Sequence, residues 1–181
     1  MKRLCNGTPI DKNISLENKL IQLDDIFNHK KIVTDICFEL VKYFMKNGND
    51  DLALQLSRRA FTHDLSKINE DEFYGMAKFA TDTDALQDAN KQLTSDKQLA
   101  INLHWDRNSH HPEYWTDINQ ITELDIIELA CDWQSRSLQF GTDSLEFLKV
   151  RQENRFHFPQ DVYDKIEYYL KLINEVIKKE P

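Results

Sequence analysis

In the stretch Phe61-Thr62-His63-Asp64-Leu65-Ser66-Lys67, an imidazole and a carboxylate stand on adjacent residues. Neutral imidazole and carboxylate are both good ligands for a hard or borderline divalent cation. Five of the six histidines, with two aspartates, run in the order H…HD…H…HH…D, as His29, His63-Asp64, His104, His110-His111 and Asp132. A set of this kind offers cation binding and, through the cation, activation of water or of a phosphate ester.

Helices must bring these residues together. The 181 residues include only four glycines and four prolines, and long amphipathic runs dominate, so the fold class is all-α in one domain. Ser15 and the apolar Leu16, Leu20, Ile21 and Leu23 suggest a short first helix. Asn28-His29 then opens a second, striped by Ile32, Val33, Ile36, Cys37, Leu40, Val41 and Phe44 and stopped by Gly48. His29 lies on its buried face, where a backbone carbonyl is the alternative partner to a metal. A third helix, Asn49 to Lys67, aligns Leu52, Leu56, Ala60 and His63, with Asp64 rotated by about 100° from His63. Arg58 and Arg59 precede the pair and read most simply as a solvated face, with Arg58 kept as a substrate contact.

Asn69 and Glu72 resemble a capping box, which makes Glu72 structural and starts a helix to about Phe79. A break at Thr81 to Asp84 and a further helix to about Leu93 follow. Ser95 can cap a helix with Leu99, Ile101, Leu103, His104 and Trp105, apolar around much of its circumference and therefore expected to be central. Pro112 disfavours helix at His111, so this helix ends near Asn108 or Ser109 and leaves His110 and His111 in a turn. Tyr114 and Trp115 could stack on a base or pack beneath that turn. Thr122 opens a helix that runs to about Phe140 before Gly141. Asp132 sits on it among apolar neighbours, where a carboxylate needs a cation or a partner such as Arg136. Thr142 caps another helix to about Gln152, and Pro159 suits the first turn of a last one. His157 falls outside the pattern. The single domain, 1–181, thus has a core over 15–140 and C-terminal helices over 142–179.

The order of these residues resembles the HD-domain superfamily of metal-dependent phosphohydrolases, over roughly residues 29 to 133. His29, His63, Asp64 and Asp132 match its four-ligand H…HD…D pattern. His63-Asp64-Leu65-Ser66-Lys67 is similar to the HDxGK variant, with Ser66 in place of glycine. His110-His111 is similar to the histidine pair of two-metal members, including HD-GYP phosphodiesterases, although His111-Pro112-Glu113-Tyr114-Trp115 replaces the GYP signature. The chain also looks like a short HD-like family of phage and bacterial genomes.

The resemblance implies an HD-like helical bundle with a metal pocket between helices. It would hold one or two divalent transition metals (Mn, Fe, Co, Ni or Zn). A first ion falls to His29, His63, Asp64 and Asp132, and a second to Asp64, His104 and His110 or His111. Lys67 would steady charge on the phosphoryl oxygens. His110, His111 or Glu113 would protonate the leaving group, and Tyr114 would contact substrate. The implied activity is hydrolysis of a small nucleotide or similar phosphate ester. An HD-fold di-iron oxygenase, or a non-catalytic nucleotide sensor or partner-binding protein, are the alternatives.

Composition narrows the partners. A formal net charge of −8 argues against a long nucleic acid, whose binding needs a basic surface. Cys5, Cys37 and Cys131 show no CxxC spacing and read as reduced thiols of a cytoplasmic protein. No apolar run has the length of a membrane span. Self-association is left open.

Overall fold

The computed structural model describes residues 12–78, 80 and 95–178. Among the described residues there are seven α-helices and no strand, so the fold is all-α. The helices are α1 (Leu16–Lys46), α2 (Asp50–Thr62), α3 (Glu70–Ala77), α4 (Ser95–Arg107), α5 (Glu123–Phe140), α6 (Ser144–Arg151) and α7 (Gln160–Ile177). The helix expected up to Leu93, and Cys5, lie outside the described residues.

The first two expected helices are one. Ser15 Oγ accepts the Asn18 N–H at 3.1 Å and starts α1, which then runs for 31 residues. Asn28 does not cap a new helix. Its amide donates to Asp24 Oδ2, 2.9 Å away on the preceding turn, and no glycine or proline interrupts the run. Gly48, at φ 75°, ends it.

The opposite correction applies to α2, which stops at Thr62 instead of Lys67. His63 leaves the helix with ψ 126°, Asp64 turns left-handed at φ 56°, and Leu65–Ile68 form a 3-10 turn. Lys30 fixes this end from α1. Its ammonium donates to the carbonyls of Phe61 (2.7 Å) and His63 (2.9 Å), placing a cation at a helix C-terminus.

The chain divides into two compact units, Met1–Asn28 with Asp64–Asn108, and His29–His63 with Ser109–Pro181. In the first unit α3 packs on α4. Among the described residues its buried apolar side chains are few: Ile14, Ile26, Ala77 and Ala100. Contrary to expectation, α4 is not a central helix. Asp96, Lys97, Gln98 and Asn102 interleave its apolar residues, so Leu99, Ile101, Leu103 and Trp105 are only half-buried.

The second unit holds a continuous apolar core. Val33, Cys37, Leu40 and Phe44 of α1 meet Leu56 and Ala60 of α2, Ile127, Ala130 and Cys131 of α5, Leu148 of α6, and Ile166, Leu170 and Ile173 of α7. Each large side chain buried there contributes about 1.5–3 kcal/mol. Cys37 and Cys131 are both buried and interact through their thiols, and burial, then Cys37, pushes the Cys131 thiol well up.

Around this core the helix ends follow local chemistry. Thr122 Oγ1 accepts the Asp125 N–H (3.2 Å) at the start of α5, and Gly141 at φ 65° ends it. Asp143, rather than Thr142, caps α6, because its carboxylate reaches the N–H groups of Leu145 (2.8 Å) and Glu146 (3.1 Å). After α6 the chain widens into a π-helical turn, Gln152–Phe156.

Candidate metal centre

In the second unit three helices each deliver one ligand-type side chain to a buried point. His29 comes from α1, His63 from the end of α2, and Asp132 from the middle of α5. His29 Nε2 lies 3.0 Å from Asp132 Oδ1, and His63 Nε2 lies 3.4 Å from His29 Nε2 and 3.9 Å from Asp132 Oδ1. One donor atom from each residue lies within 4.8 Å of the others, a spacing that can hold a metal ion.

The far sides of both rings are tied down. Ser135 Oγ donates to the Asp132 carbonyl (2.7 Å) and therefore accepts from His29 Nδ1 (3.1 Å). The carboxylate oxygen Oε1 of Glu128 accepts from His63 Nδ1 at 2.9 Å. With the proton on Nδ1 of each ring, the two Nε2 lone pairs and a carboxylate oxygen face one another. Three Lewis bases at this separation repel unless a cation or a proton lies between them. The donor set thus fits a metal. With a proton in place of a cation the picture changes: burial would raise the Asp132 carboxyl, but a hydrogen bond from a protonated His29, with charge on His29, His63 and His110, holds it well below its usual range.

Glu128 serves a second ring. Its Oε1 is 3.4 Å from His110 Nδ1, and the His110 ring centroid lies 4.6 Å from that of His63 and 4.3 Å from that of His111. His110 is buried and His111 half-buried. Arg59 holds Glu128 in turn, through Nη1 to Glu128 Oε2 (2.9 Å) and Nη2 to Asp125 Oδ1 (2.7 Å). Asp125 also accepts from Ser109 Oγ and Thr122 Oγ1, each at 2.5 Å. The solvated face expected for Arg58 and Arg59 therefore holds only for Arg58, which is exposed. Arg136, the alternative partner for Asp132, donates to Gln139 Oε1 at 3.1 Å. Tyr114 is exposed, and Trp115 packs beneath its turn with Nε1 donating to the Ser109 carbonyl (2.8 Å).

The first unit gathers Asp64, Lys67 and His104. Lys67 Nζ reaches Asp64 Oδ2 at 2.5 Å, and His104 Nε2 lies 3.3 Å from Asp64 Oδ1. On the other side of the ring, His104 Nδ1 is 3.1 Å from Glu72 Oε2. Burial would lower His104, but the Asp64 and Glu72 carboxylates outweigh it and raise the imidazole. The capping box assigned to Asn69 and Glu72 is absent. The Asn69 side chain makes no cap hydrogen bond, and Glu72, fully buried, accepts from Ser66 Oγ (2.8 Å) and Arg107 Nη1 (2.7 Å) instead. Burial acts to raise Glu72, yet His104, Arg107 and Ser66 keep it low.

Glu128, Ser135, Arg59 and Glu72 are the participants that residue typing missed. For Glu128 and Ser135 a signal existed, since Asp125, Glu128, Asp132 and Ser135 recur at steps of three, four and three along an otherwise apolar helix.

Among the described residues, no helix is long and apolar enough to cross a membrane. No curated protein and no solved structure matches the chain. The model of a family of unknown function, DUF5662, matches residues 19–174, and the chain belongs to that family.

Proposed function

We propose that this member of DUF5662 is a metal-dependent phosphohydrolase of the HD type that acts on a small phosphate ester of nucleotide size. The observation that carries the reading is the pair of imidazoles whose Nδ1 sides are held by Glu128 and Ser135 while their Nε2 sides face Asp132. That arrangement is how proteins fix ligand histidines. Charge supports a divalent ion. Asp125, Glu128 and Asp132 contribute three negative charges and Arg59 one positive, which leaves two negative charges among buried side chains. Mixed nitrogen and oxygen donors favour Mn, Fe, Co, Ni or Zn over Ca.

When bound, such an ion supplies Lewis acidity that polarises a phosphoryl oxygen and acidifies water. The chain's own residues do the rest. His29, His63 and Asp132 hold the ion, Glu128 and Ser135 set the ring orientations, and the buried surroundings exclude bulk solvent. His110, oriented by Glu128, carries the proton for the leaving oxygen. Lys67 is assigned to the phosphoryl oxygens through the resemblance of His63-Asp64-Leu65-Ser66-Lys67 to the HDxGK motif. The net charge of −8 favours a small substrate over a polymer.

The test is metal analysis of protein purified without chelator. It is followed by turnover on a panel of small nucleotides, single strands and duplexes with Mn, Co, Ni, Zn or Fe. Stoichiometric metal that is lost in Asp132→Asn, with turnover on small esters, is the expected result. Lys67→Ala should keep the metal and lose about 10²-fold in kcat, as removal of one transition-state contact does. Metal-loaded protein inert on every ester would end the phosphohydrolase reading, and two irons with a mixed-valence spectrum would replace it with an oxygenase.

A further inference from the structure

Two arginines in the second unit lie over aromatic rings. Arg151, at the end of α6, sets its guanidinium 4.7 Å from the Phe147 ring centroid, and Arg155, one turn on, sets its own 5.0 Å from that of Phe156. Trp133 braces both phenyl rings, edge-on to Phe147 at 5.1 Å and stacked on Phe156 at 6.2 Å. Arg155 stands within the π-helical turn Gln152–Phe156 that follows Arg151, and such turns recur at functional sites.

The polar inventory of this cluster is incomplete. Arg155 pairs with Glu113 through Oε1, but Arg151, half-buried, makes no hydrogen bond or ion pair among the described residues. Glu113 Oε2 is buried and accepts no hydrogen bond. The donors of Arg151 and one acceptor of Glu113 are thus unmet. Burial and the neighbouring Arg155 charge push Arg151 down, and burial pushes Glu113 up. An anion on the arginines relieves the first effect. The Arg155 and Glu113 side chains are 38% and 20% exposed, so the cluster borders solvent.

We infer that Arg151, Arg155 and Glu113 form a subsite for a hydrogen-phosphate or phosphomonoester group, with its oxygens on the two guanidiniums and its P–OH donating to Glu113 Oε2. Guanidiniums already fixed on aromatic faces lose little freedom when they take a phosphate. The chain ties this cluster to the metal centre twice, since Trp133 follows Asp132 and Glu113 follows the His110-His111 turn. On the phosphohydrolase reading, the phosphate is assigned as a second phosphoryl group of the substrate. That role rests on the phosphohydrolase reading, whereas the binding itself does not.

The experiment is calorimetric titration of the full chain, stripped of metal by chelator, with inorganic phosphate and with sulfate. Saturable phosphate binding, weakened about tenfold or more in Arg151→Met and in Arg155→Met, is expected from loss of a charged hydrogen-bonding partner. Sulfate has no proton to give Glu113. It should bind more weakly than phosphate, and Glu113→Gln should erase that preference. Circular dichroism melts establish that the variants are folded. No phosphate binding by the wild type, or wild-type affinity in both arginine variants, overturns the subsite. Equal affinity for sulfate and phosphate removes Glu113 from it. With metal restored, a raised KM and retained kcat in Arg151→Met places the phosphate on the substrate, while an unchanged KM overturns that placement and makes it a separate effector. Phosphate binding without turnover on any ester leaves the subsite standing and overturns the phosphohydrolase reading instead.

Discussion

Glu128 is the residue on which the candidate metal centre turns, although it is not one of the three residues facing the shared point. A single carboxylate oxygen meets His63 Nδ1 at 2.9 Å and lies 3.4 Å from His110 Nδ1, and Arg59 holds the other oxygen. Glu128→Gln keeps the shape but can present an amide N–H to His63, which favours the wrong tautomer. Metal affinity, measured by competition with a chelating dye, should fall about 10- to 100-fold. Wild-type affinity in that variant would show that the ring orientations do not depend on Glu128. His29, His63 and Asp132 were legible through their H…HD…D order, since residue type alone left His29 a backbone carbonyl and Asp132 the Arg136 side chain as alternative partners. Glu128 and Glu72 could not, because glutamates are common on helices. Only the register of the polar seam on α5 distinguishes Glu128, and the Asn69 spacing pointed away from the role of Glu72.

The helices themselves were legible because apolar periodicity and caps are local. Thr122 and Gly141 bound α5 as expected, since a side-chain acceptor and a left-handed terminus need no distant partner. Two clean tests follow. A Cβ built on Gly141 meets nothing within 4 Å, so Gly141→Ala probes the positive φ alone and should cost about 1 kcal/mol. Asp143→Ala should cost about 1 kcal/mol through the lost cap of α6, whereas Thr142→Ala should cost much less. Thermal melts of the three variants decide, and a larger loss in Thr142→Ala would reverse the assignment of the cap. The end of α2 was not legible, because Lys30 fixes it from 31 residues upstream of Phe61. The false boundary at Asn28 came from reading a capping-type residue where its side chain pairs within the helix instead.

At the scale of the molecule the two units are built differently. The second has an extended apolar core, while the first, among its described residues, relies on a few buried apolar side chains and a charged network of Asp64, Glu72, His104 and Arg107. Local opening follows apolar burial. Amide hydrogen exchange should therefore be slower in α5 and α7 than in α3 and α4, and equal protection would contradict this picture. A cation that binds only the folded state stabilises it by about 2.7 kcal/mol at a hundred times its Kd. Adding metal to stripped protein should raise the Tm and slow exchange in α2 and α5, with no rise in Asp132→Asn.

The buried thiols of Cys37 and Cys131 also make the second unit its own stopwatch. Neither can react with a disulfide reagent until the core around it opens. In a Cys5→Ser background the labelling rate of these two side chains counts openings of the unit that carries His29, His63 and Asp132, with no probe attached. Because Cys131 stands next to Asp132 in the chain, a cation seated there should lengthen the interval between those openings.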